Sequence, residues 1–265
     1  MNRLGRALPH DSLLHRRNPT VKLAVFFVVS VLLLVPVDPW TPLALLVVAV
    51  PAVLAAGRIP WQTLGAAALL FGPFACSLLA VNAVTRDGPV VAEVLGLEVT
   101  GTGVAIGAAL ALRTVLVGIL AVAFSLTTDG ARLMTSLHQH ARLGARPTFA
   151  VLAGYRVLED LPERWMTIRQ AQSVRDPRRR AGTLPRDPGS LTRAAFTLLV
   201  VALRQGERMA IAMETRGLGS GPRTVHRPVA LDRRDAVFAA VVLGVCALVV
   251  LASWHVGVLR TWDTV

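Results

Sequence analysis

The sequence predicts an all-α integral membrane protein with about five transmembrane helices and a helical cytosolic module between the fourth and the fifth. Two properties of the 265 residues lead to this prediction. Apolar residues make up 54% of the chain and the mean hydropathy is +0.57, which is too apolar for an ordinary soluble domain. The formal net charge is nevertheless +12, as expected of a membrane protein whose basic residues gather on one side of the bilayer.

Five apolar runs are long enough, or nearly so, to cross a bilayer, which takes about 20 helical residues. We predict spans at residues 21–37, 42–56, 64–84, 101–127 and 236–254. The second run is short, and the fourth carries one charge, Arg113. The predicted domains are an N-terminal transmembrane region at 1–127, cytosolic coupling helices at 128–234, and a final span with an external tail at 235–265.

The arginines orient these spans. The segment before the first span is rich in Arg, the loop at 85–100 has one Arg against three acidic residues, and 19 of the 27 arginines lie within residues 128–234. Because basic loops stay on the cytosolic side of a membrane, we expect a cytosolic N-terminus, a cytosolic segment at 128–234 and an external C-terminus.

Several kinds of site are not supported by the sequence. The single lysine, Lys22, lies in Thr-Val-Lys-Leu, whereas an ATP-binding P-loop ends in Gly-Lys-Ser/Thr. Cys76 and Cys246 lie inside apolar runs, so no disulfide framework is predicted. His138 and His140 are two residues apart, on different faces of a helix, which disfavours a metal pair. We therefore expect no catalytic residues, no metal and no cofactor in this chain.

The predicted cytosolic module contains apolar pieces with helical spacing that are too short to cross a membrane. One stripe repeats at steps of three, four and seven residues: Leu191, Ala195, Leu198, Ala202, Met209 and Met213. Arg193, Arg204, Glu207 and Arg208 lie largely off it. A helix of this kind can lie against the membrane, pack on the transmembrane bundle or dock a partner.

Two predicted helices of this module end in the same way. Ala171 and Arg175 precede an Asp-Pro pair, and Ala212 and Arg216 precede Gly217. Proline disfavours the helical conformation in the residue before it, and glycine suits a left-handed C-cap. Each Arg is therefore predicted at a helix C-terminus, where the helix dipole favours a cation. Each arginine either simply ends its helix or presents its guanidinium to a partner's carboxylates and carbonyls.

At these residues the sequence resembles the T-component, the transmembrane coupling subunit of energy-coupling factor (ECF) transporters. Residues 210–219, Ala-Ile-Ala-Met-Glu-Thr-Arg-Gly-Leu-Gly, with Arg-Thr at 223–224, resemble the family's second Ala-Arg-Gly signature, and residues 168–176 resemble the first. Residues 14–23 are similar to the family's entry into its first helix, and Ser-Leu-Thr-Thr at 125–128 resembles the end of its last span before the coupling region.

The sequence departs from the family pattern at three positions. Val174 and Thr215 stand where the family usually has Ala, and Asp176 stands where it usually has Gly. Both signature arginines are kept. An Asp beside Arg175 can form a local ion pair and weaken docking at that end, so we expect Arg216 to contribute more.

The resemblance implies a non-catalytic subunit of an ABC importer for a vitamin or a transition-metal ion, in the bacterial cell membrane. Two cytosolic ABC ATPase subunits would bind ATP and Mg²⁺, and a separate membrane S-component would bind substrate. Membrane lipid is the remaining partner that the resemblance implies, and a nucleic-acid partner is not implied. The residues implied in ATPase docking are Arg175, Arg216, Ala171, Ala212, Glu214 and Gly217.

Three residues of the fourth span, Arg113, Gly103 and Gly107, are predicted to have structural or coupling roles in the membrane. A charge at the centre of a span costs about 2.5–3.5 kcal/mol on insertion scales, so Arg113 is expected to face the bundle or a polar contact. The family has a similar Arg, which implies a structural or coupling role. Gly103 and Gly107 line one face of the span and allow close approach either of the S-component or of another helix of this chain.

Three other functions fit the sequence less well. A substrate-binding permease of another ABC importer class usually has a Glu-Ala-Ala…Gly coupling loop, which is absent. A membrane-embedded enzyme needs clustered ionisable residues in or beside its spans, whereas Arg113 is the one charge of the fourth span, and Ser125, Asn82 and His255 form no triad or metal pattern. A nucleic-acid binder needs aromatic residues among its arginines, and Tyr155 and Trp165 are too few.

Overall fold

The computed structural model of the chain describes residues 12–94, 96–175, 184, 187–218, 221 and 228–257. A two-stranded hairpin, β1 (Val90–Val94) and β2 (Leu97–Thr100), accompanies the helices. The helices are α1 (Pro19–Leu32), α2 (Trp40–Gly57), α3 (Trp61–Thr85), α4 (Gly101–Thr127), α5 (Gly130–His140), α6 (Ala145–Arg175), α7 (Pro188–Thr215) and α8 (Arg233–His255).

The chain divides into two compact units. In the first, which we call the bundle, residues 12–129 and 230–257 form α1 to α4, the hairpin and α8. In the second, which we call the arm, residues 130–229 form α5, α6 and α7.

Within the described residues, four helices are long and apolar enough to cross a membrane: α2, α3, α4 and α8. Their mean hydropathies run from 2.0 to 2.8, and α1 is a shorter apolar helix of 14 residues. The prediction of an all-α, multi-pass membrane protein is confirmed. The bounds of α4 are those predicted, because Thr100 caps its start by accepting a hydrogen bond from the Gly103 amide at 3.2 Å.

The first predicted span is only partly helical, because α1 ends at Leu32 rather than continuing to residue 37. The following connection is partly buried in the bundle: Leu33 is 0% exposed and Asp38 is 3% exposed, whereas Leu34 and Val35 are 56% and 52% exposed. Pro36 accounts for the break, since proline has no amide hydrogen and disfavours helix in the residue before it. Non-helical backbone at membrane depth is tolerated where protein buries it, and here Leu33 and residues 36–38 are buried.

Helix α4 is central to the bundle and packs on α1, α2 and α3. One core cluster joins four helices through Val25, Leu45, Leu116 and Cys246. Many apolar side chains of α3 and α8 point outward instead; Leu69, for example, is 77% exposed. Apolar faces of this kind suit hydrocarbon or another membrane helix.

The hairpin was not predicted, because the loop at 85–100 was interpreted from its charges alone. Its strands pair antiparallel, with Val94 opposite Leu97 and Glu93 opposite Glu98. Gly96 makes the tight reversal possible with a φ of +78°. The sequence did contain a signal for these strands, namely the valine-rich run Val-Val-Ala-Glu-Val and, after Gly96, the run Leu-Glu-Val-Thr, which also contains β-branched residues.

Two buried charged residues join helix ends in the bundle. The Asp235 carboxylate accepts hydrogen bonds from the amides of Asn18 and Asp232, each at 3.0 Å, and so ties the start of α1 to the start of α8. The Lys22 Nζ donates to the Thr127 carbonyl at 2.8 Å, which places a cation on the C-terminus of α4, where the helix dipole favours it.

Candidate partner-docking site at the ends of α6 and α7

The two long helices of the arm pack against each other at the end of α6 and the start of α7. The Gln172 side-chain amide lies 3.3 Å from the carbonyl oxygen of Ser190 and 3.2 Å from the amide nitrogen of Ala194. Ala194 is completely buried at this contact. The α7 helix begins just before it, where the Asp187 carboxylate accepts from the Ser190 amide at 2.9 Å.

Helix α7 ends at Arg216 in a Schellman motif. The Gly217 amide donates to the Glu214 carbonyl at 2.8 Å, and the Leu218 amide donates to the Met213 carbonyl at 3.0 Å. Gly217 has a φ of +70°, the left-handed conformation that glycine adopts most readily. The predicted C-cap is confirmed, and it holds an exposed Arg216 at the helix terminus.

Arg175 is the last residue of α6, and its side chain is exposed. The Asp-Pro pair that is predicted to stop the helix lies outside the described residues, as do Gly219 and the Arg-Thr pair at 223–224. The structure thus places both signature arginines at helix C-termini, where the dipole favours a cation by about 0.3–1 kcal/mol.

The two arginines lie at opposite ends of α7. Arg175 is within one turn of Gln172, which contacts Ala194. From Ala194 to Arg216 the helix advances about 33 Å, at about 1.5 Å per residue. The two guanidinium groups therefore do not converge on one site, and an arm that docks through both must meet two separate surfaces.

The other predicted docking residues are also at the surface. Ala171, Ala212 and Glu214 are exposed, and Gly217 is half-buried. An alanine one helical turn before each arginine lies on the same helix face and leaves room for a partner to approach. Apolar side chains stand exposed nearby: Val174 is 86% exposed and Ile211 is 61% exposed. Apolar area beside an arginine is the composition of interface cores.

The predicted apolar stripe of α7 is half-buried at five of its six residues, Ala195 being the exposed one. A second apolar face on the same helix was missed. Phe196 is 67% exposed, Leu199 is 55% exposed and Leu203 is 60% exposed. Their steps of three and four residues would have identified this face as well. Lipid or a partner chain would have to cover it.

The two histidines of α5 have structural partners. His138 Nδ1 lies 2.6 Å from the Leu143 carbonyl, and His140 Nε2 lies 2.9 Å from the Val229 carbonyl. Across the described part of the chain, no group of three or more His, Cys, Asp or Glu side chains could hold a metal ion.

Arg113 makes its polar contact with the non-helical segment that follows α1. It is 9% exposed, and its Nη2 donates to the Pro36 carbonyl at 2.6 Å. Asp38, two residues further on, accepts from the Thr41 amide at 2.7 Å through Oδ2. Because α1 stops early, the main chain at Pro36 needs a donor inside the bundle, and Arg113 supplies it.

We expect Arg113→Leu to destabilise the chain by about 1–3 kcal/mol, the cost of leaving a buried carbonyl without its donor. Thermal unfolding of the purified chain in detergent measures this. Arg86→Leu is the control, since it makes the same change at an exposed arginine of the bundle. An Arg113→Leu protein that unfolds at the wild-type temperature would show that the contact does not contribute.

Gly103 and Gly107 pack against α3 of the same chain. A Cβ at Gly103 would lie 3.0 Å from the Ala83 Cα, and a Cβ at Gly107 would lie 2.8 Å from the Leu79 carbonyl oxygen. Both glycines are buried. The sequence left two alternatives, close approach of the S-component or of another helix of this chain. The structure shows the second, with α3 as the neighbouring helix. Gly118, which was not predicted, receives the Phe71 ring in the same way.

A comparison with known protein families identifies the family to which this chain belongs. Residues 10–226 match the model of the CbiQ family, described as cobalt transport protein. The chain belongs to the CbiQ family. The match covers most of the bundle and the arm up to the end of α7.

Several curated proteins are similar to the chain along nearly its full length. The energy-coupling factor transporter transmembrane protein EcfT of Macrococcus caseolyticus is 24% identical over 93% of this chain and 96% of its own length. The protein of the same name from Bacillus selenitireducens is 27% identical over 96% of this chain and 97% of its own. A putative ABC transporter ATP-binding protein of Bifidobacterium longum is 28% identical over 92% of this chain, which corresponds to 32% of that longer protein.

Proposed function

We propose that this CbiQ-family chain is the transmembrane coupling subunit of an ECF-type importer. It would transmit the ATP-driven movement of two cytosolic ATPases to a membrane S-component, which binds the vitamin or transition-metal ion. The observation that carries the proposal is the pair of exposed arginines, each at the end of a long helix, in a chain similar throughout to proteins named EcfT.

The geometry of the arm supports two ATPase contacts rather than one. Arg175 ends α6 close to Ala194 of α7, and Arg216 lies about 33 Å further along α7 than Ala194, at about 1.5 Å per residue. Each arginine would therefore enter a groove on a different ATPase subunit. A helix end that offers a guanidinium, a low alanine surface and an exposed apolar side chain suits docking into a groove. The likeness to a longer protein named as an ATP-binding protein also supports an ATPase partner.

In this proposal the chain is not an enzyme and has no cofactor of its own. ATP and Mg²⁺ would be bound by the partner ATPases. The support is chemical: the single lysine of the chain, Lys22, is buried at the end of α4 with its Nζ on the Thr127 carbonyl. Lys22 therefore makes a structural contact rather than a contact with a nucleotide phosphate.

The test is purification of a tagged copy with whatever assembles on it. We expect nucleotide-binding subunits to co-purify, and we expect ATP turnover in the assembly but none from the chain alone. An assembly whose ATPases carry a substituted P-loop lysine is the control for contaminating activity. Turnover by the isolated chain above that control would contradict the proposal and favour a membrane-embedded enzyme.

A further inference from the structure

Two adjoining cavities open at the end of the bundle where α1 and α8 begin and α2 ends. The inner cavity has a volume of about 340 Å³ and lies among α1, α2, α4 and α8. The outer one has about 320 Å³, and the two share Leu14, Ala56, Phe238 and Val241 in their walls. The inner walls are mostly apolar, with Val25, Val29, Leu45, Leu116, Phe124 and Cys246 among them. Lys22 and Thr127 also line this cavity, and the Lys22 Nζ is hydrogen-bonded to the Thr127 carbonyl.

The outer cavity carries two arginines, Arg17 and Arg234. The half-buried Arg17 side chain makes no hydrogen bond or ion pair with any residue that the structure describes. Among the described residues, Arg234 pairs with Asp232, with 3.9 Å between Nε and Oδ2 and both side chains largely exposed, a type of pair that contributes little. The mouth of an apolar cavity thus holds two cations with little compensation inside the protein.

A hydrogen bond within the bundle holds these two arginines near each other. Arg17 precedes Asn18, and Arg234 precedes Asp235. The Asn18 amide donates to the Asp235 carboxylate at 3.0 Å, and Asp235 is 3% exposed. Because this buried contact joins the start of α1 to the start of α8, the main chain that carries Arg17 and Arg234 is fixed on the two sides of the outer cavity, which both residues line.

The chemistry of the groove selects an amphiphile with an anionic head. Free phosphate would satisfy the arginines but leave the apolar cavity uncovered, and a zwitterionic lipid would bring its own cation to the mouth. In a chain that spans a membrane, basic pockets between helices on the cytosolic side bind anionic headgroups, and the volume lies within the range of ligand sites, about 300–1,000 Å³. We propose that this groove binds one anionic glycerophospholipid, with its phosphate at Arg17 and Arg234 and an acyl chain in the inner cavity.

The test uses the full chain, purified in mild detergent together with its partners, and counts bound lipids by native mass spectrometry. Phosphatidylglycerol is the anionic probe and phosphatidylcholine is the neutral one. We expect one phosphatidylglycerol to be retained at concentrations where phosphatidylcholine is not. The double variant Arg17→Gln, Arg234→Gln should lose about a hundredfold in affinity for the anionic lipid, about tenfold for each charge-assisted hydrogen bond that is removed.

Arg58→Gln is the matched control, because Arg58 is an exposed arginine directly after α2, at the same end of the bundle, but lines neither cavity. It should retain lipid like the wild type. Ala49→Leu, which adds carbon to the inner wall, should also lower retention while size-exclusion behaviour stays normal. Equal retention of the two lipids, an equal loss in Arg58→Gln, or displacement of the lipid by glycerol phosphate alone would each overturn the proposal.

Discussion

Arg216→Glu should abolish ATP-driven uptake and weaken binding of one ATPase about a hundredfold or more, as expected when a charge buried at an interface loses its match. The Schellman motif at Gly217 holds Arg216 at the end of α7, so a glutamate there would present the opposite charge to the same surface. The carboxylate would also face the negative end of the helix dipole.

The structural cost of this substitution to the arm should be small. Arg216 is exposed, and the helix-dipole contribution at a C-terminus is only about 0.3–1 kcal/mol. Circular dichroism and thermal unfolding of the purified chain should therefore change little. The measurement that matters is the mass of the assembly, together with uptake by vesicles that contain it.

Arg208→Glu is the matched control for Arg216→Glu. Arg208 lies two turns earlier on α7 and is exposed, and among the described residues its guanidinium donates a hydrogen bond to Gln205 of the same helix. Arg208→Glu therefore makes the same charge change away from the helix end. Arg216→Lys keeps the charge but lacks the planar fork and should fall between wild type and Arg216→Glu. Wild-type ATPase yield together with normal uptake in Arg216→Glu would contradict the docking proposal.

Because the two helix ends are separated, Arg175→Glu should act on the other ATPase. We expect each single variant to retain one ATPase and the double variant to retain neither. If both arginines instead docked on the same ATPase subunit, either single substitution would release that subunit, and the double variant would add no further loss.

The features predicted well from the sequence are those decided by local chemistry. The bounds of α4 follow from an apolar run, and the end of α7 follows from Gly217. Both signals act within a few residues of the chain, so a single sequence contains them in full. Arg216 could be placed at a helix end for the same reason.

The errors came from contacts between distant residues. Hydropathy cannot distinguish a helix from a buried turn, so the run at 21–37 was predicted as one span although α1 stops at Leu32. Arg113, Lys22 and Asp235 bind main-chain groups that are 77, 105 and 217 residues away in the chain. No spacing rule connects a side chain to a carbonyl or an amide at such a distance.

Gly107→Leu should prevent α3 and α4 from packing and lower the yield of folded protein sharply. Even a Cβ at this position would lie 2.8 Å from the Leu79 carbonyl oxygen and 2.9 Å from its Cα. These are main-chain atoms, so no side-chain rotation relieves the clash and α3 itself must move. Gly107→Ala should already cost about 1–3 kcal/mol, the usual cost of overpacking.

Gly72→Ala on α3 separates this packing effect from the general effect of losing a glycine. A Cβ at Gly72 would have nothing within 4 Å, so alanine there should be neutral or gain up to about 1 kcal/mol from helix propensity. Thermal unfolding of both variants in detergent compares them directly. If Gly107→Ala were as stable as Gly72→Ala and only weakened assembly with a membrane partner, Gly107 would belong to an intermolecular interface; the short distances to α3 predict a loss of stability in the isolated chain.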